Sequence, residues 1–127
     1  MEKAFEVFSN ILDNDGKLFI TVETPFLGNW KSFLAEYQER LNKNHLYPGY
    51  ISDTQEFETK GYQKNLPNEV HWLNKLDFEH LAKKFHFEIE YMEYINRKGY
   101  FPDDLLLDGR ESLGVVLRKK TNVSKNS

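Results

Sequence analysis

The run Leu18-Phe-Ile-Thr-Val22 constrains this chain more than any other stretch, because it is almost continuously apolar and partly β-branched. Such a run fits a strand covered on both faces better than the alternation of a half-exposed one, which predicts a place inside a sheet. Its surroundings agree with that reading. From Glu2 to Leu12 the residues Ala4, Phe5, Val7, Phe8, Ile11 and Leu12 recur at helical spacing and form one apolar stripe. Asn14, Asp15 and Gly16 then break the helix, since Asn and Gly tolerate the left-handed backbone that commonly ends one. Glu23-Thr24-Pro25 closes the strand. In an open parallel sheet the carboxyl ends of the strands line the ligand crevice, so Glu23 and Thr24 are candidates for touching a ligand. Glu23 also suits a solvated carboxylate at a strand end or an N-terminal partner for the next helix.

A chain of 127 residues makes one domain that buries roughly two thirds of its unfolded surface. Ten Phe, seven Tyr and two Trp supply an aromatic core, while a net charge of −3 with Lys and Arg scattered among carboxylates gives no basic face for a nucleic acid. The absence of cysteine excludes a disulfide framework and any thiolate metal site. Nothing reads as a signal peptide or a membrane span, so the default setting is cytoplasmic, with neither nucleic acid nor membrane as partner.

After the strand, a second helix is expected from Gly28 or Asn29, with Asn29 as cap, to about Lys43; Trp30, Phe33, Leu34, Tyr37 and Leu41 form its buried stripe. Strand and helix together read as the first part of a βαβ unit. Between Asn44 and Lys75 periodicity fades and aromatics cluster: His45, Tyr47, Tyr50, Phe57, Tyr62, His71 and Trp72, punctuated by Pro48-Gly49, Gly61 and Pro67. Long irregular segments in compact domains are commonly lids or binding loops, so Tyr47, Tyr50 and Trp72 are candidate substrate contacts in a cap; plugging the top of the core is the alternative.

Asp77 is the expected N-cap of a short third helix bearing Phe78, Leu81, Ala82 and Phe85. A strand follows from Phe87 to Ile95, interrupted in its alternation at Met92. Phe101-Pro-Asp-Asp104 turns into one helical turn at Leu105 to Leu107, closed by Asp108-Gly109, before a last strand from Leu113 to Leu117. Residues 121–127 read as a disordered polar tail, and its Asn122-Val-Ser124 sequon is treated as chance.

This order of elements resembles the carboxyl-terminal half of a class I, Rossmann-like S-adenosylmethionine-dependent methyltransferase over roughly residues 2 to 120. The family's first turn commonly reads Leu-x-Pro-Gly-Gly-x-Leu; here Leu12-Asp-Asn-Asp-Gly16-Lys-Leu18 keeps the second glycine. Its sixth strand often follows Gly-Phe, where this chain has His86-Phe87, and His can adopt positive φ at some cost. Tyr47-Pro-Gly49 and Leu107-Asp-Gly-Arg-Glu111 also look familiar from bacterial members. The resemblance implies an α/β fold with about three to four helices and a mixed three-stranded sheet of order 5-7-6, the last strand antiparallel between the other two.

The resemblance also implies what is missing. The family holds its cofactor on a glycine-rich turn after the first strand, and no Gly-x-Gly follows a strand here. The chain alone is therefore expected neither to bind S-adenosylmethionine appreciably nor to be active, and to be a truncated or split gene product that supplies the substrate-facing part. The family's small-molecule methyl acceptor would need a base only for its own deprotonation, and Glu23 and His71 are the candidates. Asp108 and Arg110 could bind a polar substrate group or simply brace the final loop as a salt bridge. The four histidines show no metal-ligand spacing, and no nucleophile motif occurs.

A sheet lacking its earlier strands leaves one edge of Leu18 to Val22 unpaired, which predicts self-association or an amino-terminal partner chain. Two further classes stay open: a non-catalytic interaction or dimerisation module derived from the half-fold, and an unrelated small α/β ligand-binding domain.

Overall fold

The computed structural model describes residues 1–57 and 67–121. Tyr62 and Gly61 of the aromatic segment, and the sequon in the tail, lie outside the described residues. The elements in chain order are α1 (Glu2–Ile11), β1 (Lys17–Glu23), a 3-10 helix (Gly28–Phe33) leading into α2 (Leu34–Asn42), β2 (Tyr50–Ile51), a 3-10 turn (Thr54–Glu56), β3 (Val70–His71), α3 (Lys75–Phe85), β4 (Phe87–Ile95), a 3-10 turn at Asp103–Leu105 rather than the expected Leu105 to Leu107, and β5 (Ser112–Lys119). The fold is mixed α/β. The main sheet has the order β1-β5-β4, and β5 is antiparallel to both neighbours. It follows that β1 and β4 run the same way, separated by the last strand. β2 and β3 form a separate two-stranded antiparallel ladder.

Leu18, Ile20 and Val22 of β1 stand in register with Leu117, Val115 and Leu113 of β5, whose other neighbours are Ile89, Met92 and Tyr94 of β4. This face carries the core, into which α1 inserts Phe5 and α3 inserts Phe78, Leu81 and Ala82. Phe5 is fully buried and meets Phe8, Phe78, Phe85 and Phe87 at ring distances of 5.8–6.2 Å, so its removal should cost about 3–5 kcal/mol. A register shift between Ile89 and Tyr91 leaves Glu90 as a bulge, which explains the broken alternation at Met92.

Several expectations are corrected. β1 is not covered on both faces: Leu18, Ile20 and Val22 are half-buried, whereas Lys17, Phe19, Thr21 and Glu23 are exposed. The core helices lie on one side only, and among the described residues β1 is an edge strand with β5 as its sole, antiparallel neighbour rather than the interior of a parallel sheet. Leu27, not Asn29, is the N-cap position; the segment enters there as a 3-10 helix, inside which Trp30 sits at non-helical φ −114°, ψ 18°. Asn74, not Asp77, is the N-cap of α3, and Asp77 lies three residues on, where its carboxylate accepts the Asn74 N–H at 2.9 Å. The turn after α1 places Asp15, not Asn14 or Gly16, in the left-handed region at φ 66°. Gly16 is needed for proximity instead, since a Cβ there would stand 2.8 Å from the Asp13 carbonyl. His86 ends α3 in the left-handed region at φ 62°, ψ 44°.

Candidate functional site

Around the small ladder, the chain folds a groove of about 680 Å³ between the start of α1, the last turns of α2 and the β2–β3 pair. The local sequence dictates its shape. Gly49 lies so close to Trp72 that a Cβ would come within 2.0 Å of the Trp72 carbonyl oxygen, and the Trp72 N–H donates to Gly49 O at 2.9 Å. Tyr47 precedes this contact at φ 57°, a left-handed backbone rare for a bulky side chain. Its strain is offset by fixed contacts. The phenol donates to Glu2 at 2.7 Å, and the ring lies edge-on to His71 at 4.9 Å. Arg40, at the end of α2, donates to the carbonyls of Pro48 (3.1 Å) and Tyr50 (2.5 Å) and clamps the turn from below.

Three sequence-derived candidates, Tyr47, Tyr50 and His71, thus meet in one groove. Tyr50 pairs with His71 in the β2–β3 register and its ring meets the imidazole at 6.1 Å. Burial holds the His71 imidazole below the ordinary histidine range, so it is neutral at pH 7, and its Nε2 has no hydrogen-bond partner among the described residues. Tyr50's phenol is pushed up by its hydrogen bond to Glu69, and Tyr47's by burial and then by Glu2. Glu2 in turn falls to about 2, because Lys84 and Tyr47 both donate to it. The groove wall therefore combines the neutral His71 imidazole, two protonated phenols and fixed charges of both signs.

The remaining candidates lie elsewhere. Trp72 packs against Trp30 at 5.4 Å in the second core cluster. Glu23 is exposed at the end of β1, opposite Ser112, and is not part of the His71 groove. Thr24 is fully buried; its hydroxyl donates to Arg110 O at 2.5 Å and accepts the Phe26 N–H at 3.1 Å. Asp108 and Arg110 form a bidentate pair at 2.6–3.2 Å, which lowers the Asp108 carboxyl, while the guanidinium stacks 3.7 Å from the Phe26 ring centroid. These residues brace the carboxyl end of β1 against the final loop.

Sequence reasoning missed the residues that do most of the organising. Arg40 was legible only as a basic residue in a helix's last turn, where such side chains often bind nearby carbonyls. Glu111 is 1% exposed and accepts the backbone N–H groups of Arg97, Leu107, Asp108 and Gly109 at 3.1, 3.2, 3.0 and 2.6 Å. Burial alone would raise its pKa, but the four donors outweigh that and hold it below the usual carboxylate range. The segment Leu107-Asp-Gly-Arg-Glu111 thus has a structural role that its sequence did not reveal.

The described residues hold no group of three or more His, Cys, Asp or Glu side chains suited to a metal, and no helix among them is long and apolar enough to cross a membrane. No protein-family model matches the chain, and no curated protein matches it.

Proposed function

We propose that this chain is the substrate-facing, carboxyl-terminal part of a Rossmann-like, S-adenosylmethionine-dependent methyltransferase, working in the cytoplasm with a cofactor-binding half that it does not itself contain. The observation that carries the reading is the sheet: a last strand inserted between, and antiparallel to, two strands that run the same way and are joined through helices. His86 in the left-handed conformation before Phe87 supports it, because that is where the resembled family uses glycine.

On this reading the cofactor belongs to the other half. Gly16, Gly28 and Gly49 each press against neighbouring backbone, and the open Gly99 stands alone rather than in a glycine-rich turn. The role of this chain is then to hold a small-molecule methyl acceptor. In the His71 groove the neutral imidazole removes the acceptor's proton at Nε2, while the Tyr47 and Tyr50 rings shape the wall. That nitrogen is buried in the single chain, so an acceptor must displace part of the groove wall to reach it.

The test is methyl transfer from labelled S-adenosylmethionine by the chain combined with the protein encoded immediately upstream. Activity that His71→Ala lowers in kcat, with loss of the histidine limb of the pH profile, is expected. Activity indifferent to His71 would remove the base assignment, and no activity with any acceptor would remove the reading. A second reading, an interaction or dimerisation module derived from the same fold, is favoured by the outer edge of β1, which no strand among the described residues pairs.

A further inference from the structure

The two edges of the main sheet are built differently. β4 carries Glu88, Glu90 and Glu93 together with a bulge at Glu90, devices that repel a second strand. β1 is built otherwise: Lys17-Leu-Phe-Ile-Thr-Val-Glu23 is a regular ladder without bulge or proline, charged only at its two ends, and its outer edge has no partner strand among the described residues. The strand is also complementary to itself. Antiparallel pairing about a two-fold axis at Ile20 sets Lys17 opposite Glu23 of the other copy at both ends.

The same register matches the faces. Leu18 meets Val22 and Ile20 meets Ile20 on the half-buried side that continues the core. On the other side Phe19 meets Thr21, and the two Phe19 rings lie diagonally across the axis, within aromatic reach. Phe19 is 73% exposed in the single chain, and it shares a cross-strand row with half-buried Val116 and with Tyr91, which is 51% exposed. A one-residue slip would put Lys17 opposite Val22 and turn every side chain to the wrong face, so the register is sharply defined.

We infer that a second copy of this chain closes the β1 edge, making a two-fold dimer with one continuous six-stranded sheet, whenever no cofactor-binding half occupies that edge. In the single chain Lys17 reaches across β5 to Glu90 at 3.2 Å, so pairing with Glu23 of the second copy requires its exposed side chain to swing back to the outer edge of β1. This assembly is independent of the methyltransferase reading, because it is read by association and cross-linking rather than by methyl transfer.

The chain has no cysteine, so Ile20→Cys introduces a single thiol on the proposed axis. Oxidation should give a disulfide-linked dimer rapidly, whereas Val7→Cys on α1 should not cross-link. Glu23→Lys places two ammonium groups together at each end and should weaken the wild-type dimer, measured by sedimentation, about tenfold. Adding Lys17→Glu to that variant should restore association. A monomeric wild-type profile at high concentration, equal cross-linking at Val7→Cys, an open ladder of higher oligomers, or a charge swap that fails to restore association would each overturn the proposal. Unchanged far-ultraviolet dichroism of each variant is the folding control.

Discussion

The carboxylate of Glu111 accepts the backbone N–H of Gly109 at 2.6 Å, across a turn in which Gly109 takes φ 97°. Three more N–H groups converge on the same side chain, so one buried charge fixes the loop from Arg97 to Gly109 against β5. Glu111→Gln keeps the shape but turns an amide N–H₂ toward donors. It should destabilise the fold by about 3 kcal/mol in urea unfolding. Because Glu111's folded pKa is depressed, its stabilisation is present above the ordinary carboxylate pKa of 4.5 and is lost as pH falls through the folded value. The variant should lose that part of the acid sensitivity.

Asp77 has the opposite sign. Burial, only partly offset by the Asn74 N–H and by His80, raises its carboxyl from 3.8 to about 6. A raised folded pKa means stability that is fully present below about pH 4 and is lost as pH rises through about 6. Asp77→Asn can still accept the Asn74 N–H. It should remove this slope and stabilise the protein at pH 7 by up to about 3 kcal/mol, seen as a higher thermal midpoint at pH 7 than at pH 4 relative to wild type.

At His86 a β-carbon is held in the left-handed region at φ 62°. His86→Gly should relieve that strain and stabilise the chain by about 1 kcal/mol in denaturant melts, less than the full steric penalty because glycine gains freedom when unfolded. A destabilised variant would mean that the imidazole makes contacts that matter more than the backbone.

Tyr47→Phe tests the groove wall. It leaves Glu2 with Lys84 and the more distant His80, 3.8 Å away, so the Glu2 midpoint should move up from about 2 while staying below that of a free carboxyl, as followed by carbon-detected NMR titration. The Tyr47 turn should persist, since Arg40 and the Gly49–Trp72 contact hold it independently.

Much of the fold could be read from side-chain periodicity, because period and burial are coupled in α1, α3, β4 and β5. The exposed far face of β1 could not: Phe19 is apolar enough to suggest a covering layer that the described residues do not supply. Caps were legible only to within a few residues, since Asn74 and Asp77 are both good caps and only the capping box decides between them. The grouping of Tyr47, Tyr50 and His71 was legible as composition, but their meeting depends on a two-residue ladder that no pattern announces. Glu111 escaped notice because a glutamate before a strand ordinarily faces water, and its burial depends on four backbone donors brought from Arg97 and the 107–109 turn.

Calorimetric titration with S-adenosylmethionine tests the central claim most directly, performed on the chain alone and on the chain reconstituted with the protein encoded immediately upstream. No measurable heat of binding is expected for the first and stoichiometric binding for the second. Tight, stoichiometric binding by the chain alone, or none by the reconstituted pair, would contradict that claim.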